Sequence, residues 1–406
     1  MKWRILVVLS IAELLGMALW FSASAVTPTL AAEWHLSDAG KAWLTMSVQI
    51  GFVVGAFLSA LLNLSDIFNA RYVFFVGAFI GAFLNGAIGL YVNSLGPAII
   101  LRFFTGACLA GVYPPAMKIM ASWFKNGRGM AIGILVGALT VGSASPHLLK
   151  IIGNPDWREL MLTSSSLSVI AGFICLFFVK DGPYFASAAR FDWRYIGKTF
   201  TDQGVRLANF GYLGHMWELY AVWTWIPLFL FESFKKGGIE NATAYSAIGS
   251  FAVIGVGGLG CVVAGILADS YGRTRITIIS MAISGSCCLL VGFLFGYSPV
   301  ALIILCLIWG FAVPADSAQF SASVTELGHP DYIGTALTMQ TCMGFLLTIV
   351  SIRLLPAFVN WMSWHWAFSV LAIGPLFGVW SMYRLRQSPA AIKIGGESSS
   401  KLGAYK

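Results

Sequence analysis

Residues 245–296 read YSAIGSFAVIGVGGLGCVVAGILA, then DSYGRT, then RITIISMAISGSCCLLVGFLFG. Two apolar runs, 245–268 and 275–296, are joined by a short polar turn that contains Asp269 and Arg273. Each run is long enough to cross a hydrocarbon layer about 30 Å thick, because a helix rises about 1.5 Å per residue. The stretch therefore predicts a helical hairpin that spans a membrane twice.

The composition extends this prediction to the whole chain. Of the 406 residues, 58% are hydrophobic and 10% are charged, and the mean hydropathy is +0.80. Soluble domains carry roughly 25% charged residues, so a soluble globular protein is excluded, as are disorder, collagen and coiled coil. All 7 cysteines lie within apolar runs, which indicates packing rather than disulfides or zinc. We expect no metal and no cofactor.

The hydropathy pattern predicts an all-α membrane protein with twelve transmembrane helices in two pseudo-symmetric six-helix halves. The domain boundaries are an N-terminal half at 1–180, a central cytoplasmic loop at 181–208, a C-terminal half at 209–390 and a cytoplasmic tail at 391–406. The predicted spans are 4–26, 42–63, 71–92, 97–120, 129–151, 160–180, 209–231, 245–268, 275–296, 299–322, 333–355 and 364–386.

Most of the 25 lysines and arginines fall on the side of these spans that bears both termini. Cytoplasmic loops carry such an excess, so both termini are predicted to be cytoplasmic. The same bias explains the net charge of +8, which therefore does not indicate nucleic acid. Because Glu13 interrupts the first apolar run, we interpret that run as a permanent span rather than a signal peptide. The expected location is multi-pass in the membrane, the inner membrane if the source is bacterial.

The two halves contain matching features. Glu13 is followed by Trp20 at the seventh position, and Glu218 is followed by Trp225 at the same spacing. Span four contains Pro97, Gly106 and Pro114, and span ten contains Pro299, Gly310 and Pro314 in the same order. Related halves are common in transporters, so the repeat favours that class.

Residues 265–275, GILADSYGRTR, resemble the G-x-L-A-D-x-x-G-R-x-R signature of the major facilitator superfamily of secondary transporters. Residues 101–106, LRFFTG, resemble the fourth-helix R-x-x-x-G motif of that family. The N-terminal half lacks the signature's glycines and keeps only an acid and an arginine there. An acid at a neighbouring helix N-terminus would form a conformational latch between the halves. The predicted latch residues are Asp66, Arg71, Asp269, Arg273 and Arg275.

The resemblance implies that helices one, four, seven and ten line a central cavity. Charged residues inside spans are costly and mark functional sites, and the ionisable residues named in the next sentence all lie on these four helices. The candidates for proton coupling or substrate binding are Glu13, Arg102, His215, Glu218 and Asp316, and Lys118 is expected to snorkel to the cytoplasmic surface. Possible cavity aromatics are Trp20, Tyr113, Trp223 and Trp225, with an interfacial belt as the alternative for the tryptophans.

Other roles for these side chains stay open. The carboxylates Glu13 and Glu218 lie near the midplane and would either bind protons or substrate or form static salt bridges. The spacing of His215 and Glu218 places them on one helix face, where the imidazole would orient the carboxylate. For Arg102, anion binding or a proton relay competes with hydrogen bonds between packed helices. His147 is expected at the surface.

Glycines recur every four residues in several spans, for example Gly129, Gly133 and Gly137, and indicate close helix packing. The predicted function is proton-coupled secondary transport of a small organic anion or zwitterion by alternating access. A proton-driven exporter of amphipathic drugs or metabolites is the alternative. A polytopic membrane enzyme is disfavoured, because the sequence has no HExxH zinc motif and no exposed nucleophile with a histidine; we predict no catalytic residues. The expected partners are a small-molecule substrate, protons and the lipid bilayer, with no nucleic acid, and the chain is expected to be a monomer.

Overall fold

The computed structural model describes residues 1–124, 127–152, 155–184, 191–329 and 332–395, apart from the side chains of 65, 66 and 128. Within these ranges the regular structure is helical and includes no strand. Helices suit a membrane because they satisfy their backbone hydrogen bonds internally. Ten helical segments of the described chain are long and apolar enough to span a bilayer. The protein is therefore an all-α, multi-pass integral membrane protein, as predicted.

The helices form two packing groups, which we call the N-terminal group, α1–α9, and the C-terminal group, α11–α17. The N-terminal group comprises α1 (Lys2–Met17), α2 (Ser22–Glu33), α3 (Asp38–Leu61), α4 (Leu64–Ile67), α5 (Ala70–Tyr91), α6 (Leu95–Leu109), α7 (Tyr113–Trp123), α8 (Arg128–Ile151) and α9 (Trp157–Phe178). After the connecting helix α10 (Ile196–Thr201), the C-terminal group comprises α11 (Gln203–Lys236), α12 (Ala242–Tyr271), α13 (Arg273–Leu290), α14 (Pro299–Ala312), α15 (Ser317–Leu327), α16 (Ile333–Ala367) and α17 (Ile373–Gln387).

Three of the predicted spans are broken near their middle. The first breaks between α1 and α2, the fourth between α6 and α7, and the tenth between α14 and α15. The break before α7 is followed by Pro114 and Pro115, which have no N–H to donate to the preceding turn. Pro314 lies in the break before α15.

The predicted helix boundaries differ from the structure at several spans, and two of these differences bear on the count of apolar segments. Helix α11 has 34 residues and begins at Gln203, before the predicted start at 209, because the Asp202 carboxylate caps it by accepting the Val205 N–H at 3.1 Å. It is not among the ten apolar segments. The segment Ile333–Gln387 has 55 residues and contains two of the predicted spans, with non-helical backbone at Ser363.

The most extensive contacts between the two groups are those of α8 with α12 and of α3 with α16. The α8–α12 contact is a backbone contact between glycines. An ideal Cβ at Gly133 would lie 2.6 Å from the Cys261 carbonyl oxygen, and one at Gly137 would lie 2.7 Å from the Gly258 carbonyl oxygen. The predicted glycine packing is thus present and lies between the groups. The α3–α16 contact is instead made by side chains, among them Phe52 and Phe345.

Candidate functional site

Glu13 lies on α1 and is fully buried. Neither of its carboxylate oxygens has a hydrogen-bond partner. Tyr113 of α7 and Cys175 of α9 lie within electrostatic range of it. A buried carboxyl group without a donor or a cation is far more stable neutral than ionised. The surroundings of Glu13 in this conformation therefore suit the protonated acid.

Glu218 of α11 has very different surroundings, although it is also buried. Its Oε1 accepts hydrogen bonds from the Trp309 indole at 2.6 Å and from the Cys288 thiol at 3.1 Å. Its Oε2 accepts one from the Ser284 hydroxyl at 2.9 Å. These donors come from α13 and α14, so Glu218 points into the C-terminal group. Three donors can stabilise a carboxylate without a cation.

His215, one turn before Glu218, contacts a different acid. Its Nδ1 lies 2.8 Å from Asp316 Oδ1, and its Nε2 lies 2.9 Å from the Ser317 hydroxyl. Asp316 ends the break before α15, and both ionisable side chains are buried. The hydrogen bond at Nε2 fixes the orientation of the ring. The structure thus brings together His215 and Asp316 rather than His215 and Glu218.

Arg102 of α6 is fully buried and binds the broken first span. Its Nη1 donates to the Leu19 carbonyl at 2.8 Å, its Nη2 donates to the Trp20 carbonyl, and its Nε donates to the Leu44 carbonyl at 3.3 Å. Nη1 also reaches Ser22 Oγ at 3.3 Å and Asn85 Oδ1 at 3.4 Å. The break leaves carbonyl oxygens without helical partners, and the guanidinium satisfies them. In this conformation Arg102 therefore holds the α1–α2 break in shape.

A group of buried rings lies between the two helix groups, and we call it the central aromatic cluster. Its members are Trp20, Phe21, Phe52, Tyr220, Trp223 and Phe345. Ring centroids across the groups are 5.6 Å apart for Trp20 and Tyr220 and 4.7 Å apart for Phe52 and Phe345. The cluster closes the path between the groups at this level. Two of the predicted cavity aromatics belong to it.

The other two predicted aromatics lie outside the cluster. The Trp225 indole donates to the Ile352 carbonyl at 3.1 Å and packs within the C-terminal group. Tyr113 is half-buried against Val136, Cys261 and Ala318, where α7 meets the C-terminal group.

Gln49 and Thr348 form a polar contact between the groups that the sequence analysis missed. The Thr348 hydroxyl donates to Gln49 Oε1 at 2.8 Å, and both side chains are buried. Gln49 lies one turn from Phe52 on α3, and Thr348 lies one turn from Phe345 on α16. The sequence signal for this contact is a polar side chain in the middle of an apolar span.

The predicted latch residues lie in two places, one in each helix group. Arg273 donates to Gln319 Oε1 at 2.7 Å and forms a bidentate ion pair with Glu326 at 2.8–3.0 Å. The Asp269 carboxylate lies against Gly129 in the first turn of α8, across the boundary between the groups. Arg275 is half-buried on α13. Asp269 thus has the predicted position at a helix N-terminus.

In the N-terminal group the corresponding contact is different. The Arg71 guanidinium donates to the Tyr72 hydroxyl at 3.1 Å, and the side chain of Asp66 lies outside the described residues.

His147 is 2% exposed, so the predicted surface position is wrong. The α8 face that carries Gly133 and Gly137 also carries His147, which explains its burial. Lys118 lies on α7 and is half-buried.

Residues 191–195 of the central loop, which we call the linker strap, join the ends of α3 and α16. The Phe57 ring of α3 packs against Phe191 and Trp193, each at 5.6 Å. The Asp192 N–H donates to the Thr335 hydroxyl in the first turn of α16 at 2.9 Å. Arg194 hydrogen-bonds the Asp192 carboxylate and keeps the pKa of that group below its usual value. The sequence predicted only a loop here.

Two groups of membrane helices that meet at a buried polar and aromatic interface are typical of secondary transporters. The chain belongs to the Major Facilitator Superfamily, whose family model matches residues 9–352 and 208–403. It is therefore a membrane transporter of small molecules.

Named relatives and solved structures agree with this assignment. The Hexuronate transporter of Escherichia coli K12 is 22% identical and covers 98% of this chain and 97% of its own length. The Putative niacin/nicotinamide transporter NiaP of Bacillus subtilis 168 is 26% identical over 50% of this chain and 52% of its own length. The proton:xylose symporter XylE, bound to 6-bromo-6-deoxy-D-glucose, superposes with a TM-score of 0.72 at 15% identity, over 94% of this chain and 95% of that one.

Proposed function

We propose that this protein is a proton-coupled secondary active transporter that moves a small organic anion or zwitterion by alternating access. In this proposal it has twelve spans in two related halves, 1–180 and 209–390, with both termini and the loop 181–208 in the cytoplasm. Hexuronate, in the name of one relative, is a carboxylate at neutral pH, and the name of another pairs the carboxylate niacin with the neutral nicotinamide, which supports the substrate class. The observation that carries the coupling is the complete burial of Glu13 without a hydrogen-bond partner.

The coupling follows from the cost of burying charge. An ionised carboxylate in a dry, unpartnered site costs several kcal/mol, so the closed arrangement around Glu13 requires the proton. When the helix groups rock and water reaches α1, the carboxyl group ionises and releases that proton. A conformational cycle that alternately buries and hydrates Glu13 would therefore carry one proton per turnover. Glu218 keeps its three donors within one helix group, so rocking would not change its surroundings as much.

The test uses purified protein in liposomes with D-glucuronate as the first labelled solute, followed by nicotinate and betaine. Wild-type protein is expected to accumulate the solute when a pH gradient is imposed and to exchange it without one. Glu13→Gln is expected to keep exchange and to lose accumulation, because the amide cannot release a proton.

Glu33→Gln is the matched control, because Glu33 lies at the end of the same broken span and bonds the Trp157 indole. It is expected to behave like the wild type. Accumulation by Glu13→Gln at the wild-type level would refute the assignment of the proton site. Transport that responds to a sodium gradient and not to pH would refute proton coupling itself.

A further inference from the structure

The chain stays packed on the C-terminal group after α17 ends at Gln387. We call residues 388–395 the C-terminal strap; it includes one short 3-10 helix, Pro389–Lys393. The strap contacts α11, α15 and α17. Its Ala391 and Ile394 side chains are 0% and 1% exposed. Burial of these apolar side chains stabilises the docked position of a segment near the chain terminus that would otherwise fray.

The strap ends on the carboxylate that pairs with Arg273 of the family signature. The Gly395 N–H donates to Glu326 Oε2 at 2.8 Å, and the Arg273 guanidinium binds both oxygens of Glu326 at 2.8–3.0 Å. An ideal Cβ at Gly395 would lie 3.2 Å from Glu326 Oε1 and 3.5 Å from Arg273 Nη2, so the strap backbone packs directly on this ion pair. Glu326 therefore accepts hydrogen bonds from two sides, which stabilises its ionised form beside the arginine.

Arg273 has a second acid within reach. Its Nη2 lies 3.7 Å from Asp269 Oδ1, a distance that gives attraction but not a hydrogen bond. Asp269 lies against Gly129 in the first turn of α8, where the helix dipole favours an anion. If Arg273 left Glu326, it would bind Asp269 and compensate the charge that the start of α8 attracts. The partner of Arg273 therefore decides how strongly Asp269 interacts with α8.

We propose that the C-terminal strap is a conformational control element that sets the strength of the α8–α12 contact at this end. While the strap is docked, Glu326 retains Arg273, and the Asp269 carboxylate is left to α8. When the strap is released, Glu326 loses a donor, Arg273 shifts to Asp269, and the contact between the helix groups weakens. The control requires neither a particular solute nor proton coupling, so it goes beyond the proposed function.

Hydrogen–deuterium exchange of the purified full-length protein, read by mass spectrometry, tests this control, because exchange measures the local opening of helix ends. The two reporters are peptides that cover residues 127–134, at the start of α8, and 264–271, at the end of α12. Residues 242–250, at the opposite end of α12, are the internal reference. A specific effect of the strap changes exchange at the reporters and leaves the reference as it is.

The first pair of variants compares a buried with an exposed position of the strap. Ile394→Ser removes an apolar side chain that is buried, whereas Ile392→Ser makes the same change at a position that is 64% exposed. Ile394→Ser is expected to release the strap and to speed exchange at both reporters about three- to tenfold, the effect of roughly one net hydrogen bond. Ile392→Ser should match the wild type.

The second pair of variants removes only the hydrogen bond from the strap. Gly395→Pro deletes the N–H that Glu326 accepts. The preceding residue, Ile394, has φ −85° and ψ 132°, which suits a residue before proline. Gly395→Ala adds a Cβ at the same place and keeps the N–H. We expect Gly395→Pro to speed reporter exchange about two- to fivefold and Gly395→Ala to stay closer to the wild type.

Replacement of Asp269 tests the route of the effect. With Asp269→Asn no carboxylate remains there for Arg273 to bind, so the addition of Ile394→Ser should change reporter exchange little. An equal acceleration by Ile394→Ser with and without Asp269→Asn would overturn the proposal. Unchanged reporter exchange in both Ile394→Ser and Gly395→Pro would overturn it too, as would an acceleration that is equally large at the reference. No solute and no pH gradient enters this experiment, so these outcomes do not bear on the proposed function.

Discussion

Glu13 and Glu218 stand at matching positions in the sequence repeat, yet one has no partner and the other has three. The donors of Glu218 are Ser284, Cys288 and Trp309. Burial is equal for the two carboxylates, so burial alone does not distinguish them. The hydrogen bonds do, because they decide whether the charged form is stable inside the protein. This difference supports the proposed proton exchange at Glu13 and predicts a structural role for Glu218.

This difference predicts opposite effects on stability. Glu218→Leu is expected to lower the free energy of unfolding by roughly 3 kcal/mol, about 1 kcal/mol for each donor left unpaired. Glu13→Leu is expected to leave stability unchanged or to raise it, because no hydrogen bond is lost and a buried polar group is removed. Thermal unfolding in detergent, compared between the two variants at one pH, measures the difference. Equal destabilisation by both variants would contradict the structural role of Glu218.

The sequence located the buried ionisable residues better than it predicted their partners. Charges stand out in apolar spans, so Glu13, Arg102, His215, Glu218 and Asp316 could all be identified. Their partners depend on how each helix is rotated, which spacing along one helix does not determine. Two acceptors of Arg102 are the Leu19 and Trp20 carbonyls, which lie in a break at residues 18–21 that no proline signals. Such contacts are visible only once the chain is folded.

At the scale of elements, different contacts close the two ends of the interface between the helix groups. The polar turn at residues 269–274, within the family signature, closes the α8–α12 end, where Asp269 lies against Gly129. The N-terminal half lacks the glycines of the signature. At the α3–α16 end the linker strap makes the closing contacts instead. Its rings pack on Phe57, and its backbone bonds Thr335. A hydropathy pattern shows only a polar loop here, since these contacts are made by a few aromatic residues far apart in sequence.

The strap is expected to hold the ends of α3 and α16 together. Trp193→Ala removes the Trp193 contact with Phe57, worth about 0.5–1 kcal/mol, and should favour opening at this end roughly two- to fivefold. The measurement is the rate of alkylation of Cys342, which lies further along α16 and is 7% exposed, quantified by peptide mass spectrometry. Trp361→Ala, at an exposed position outside the strap, is the control. An unchanged rate in Trp193→Ala would show that the strap does not hold this end closed.

At the scale of the whole molecule, the two interfaces between the helix groups differ in how they can move. The α8–α12 interface consists of backbone contacts between glycines, which allow rotation and sliding without side chains to unlock. The α3–α16 interface consists of interlocked side chains around the central aromatic cluster, which must separate before a solute can enter. Alternating access in this protein should therefore use α8–α12 as the pivot and α3–α16 as the opening side.

A reversible cross-link between α3 and α16 tests whether these helices form the opening side. The Cys342 thiol lies 3.9 Å from the Val53 carbonyl oxygen, so Val53 is the position chosen on α3 for a cysteine to be oxidised with Cys342. Oxidation of the Val53→Cys variant is expected to stop D-glucuronate exchange in liposomes, and a reductant should restore it, because α3 and α16 can no longer separate. The same substitution combined with Cys342→Ser cannot cross-link and should remain active under oxidant. Full exchange by the oxidised Val53→Cys protein, with the disulfide confirmed by mass spectrometry, would mean that solutes pass without separation of α3 from α16.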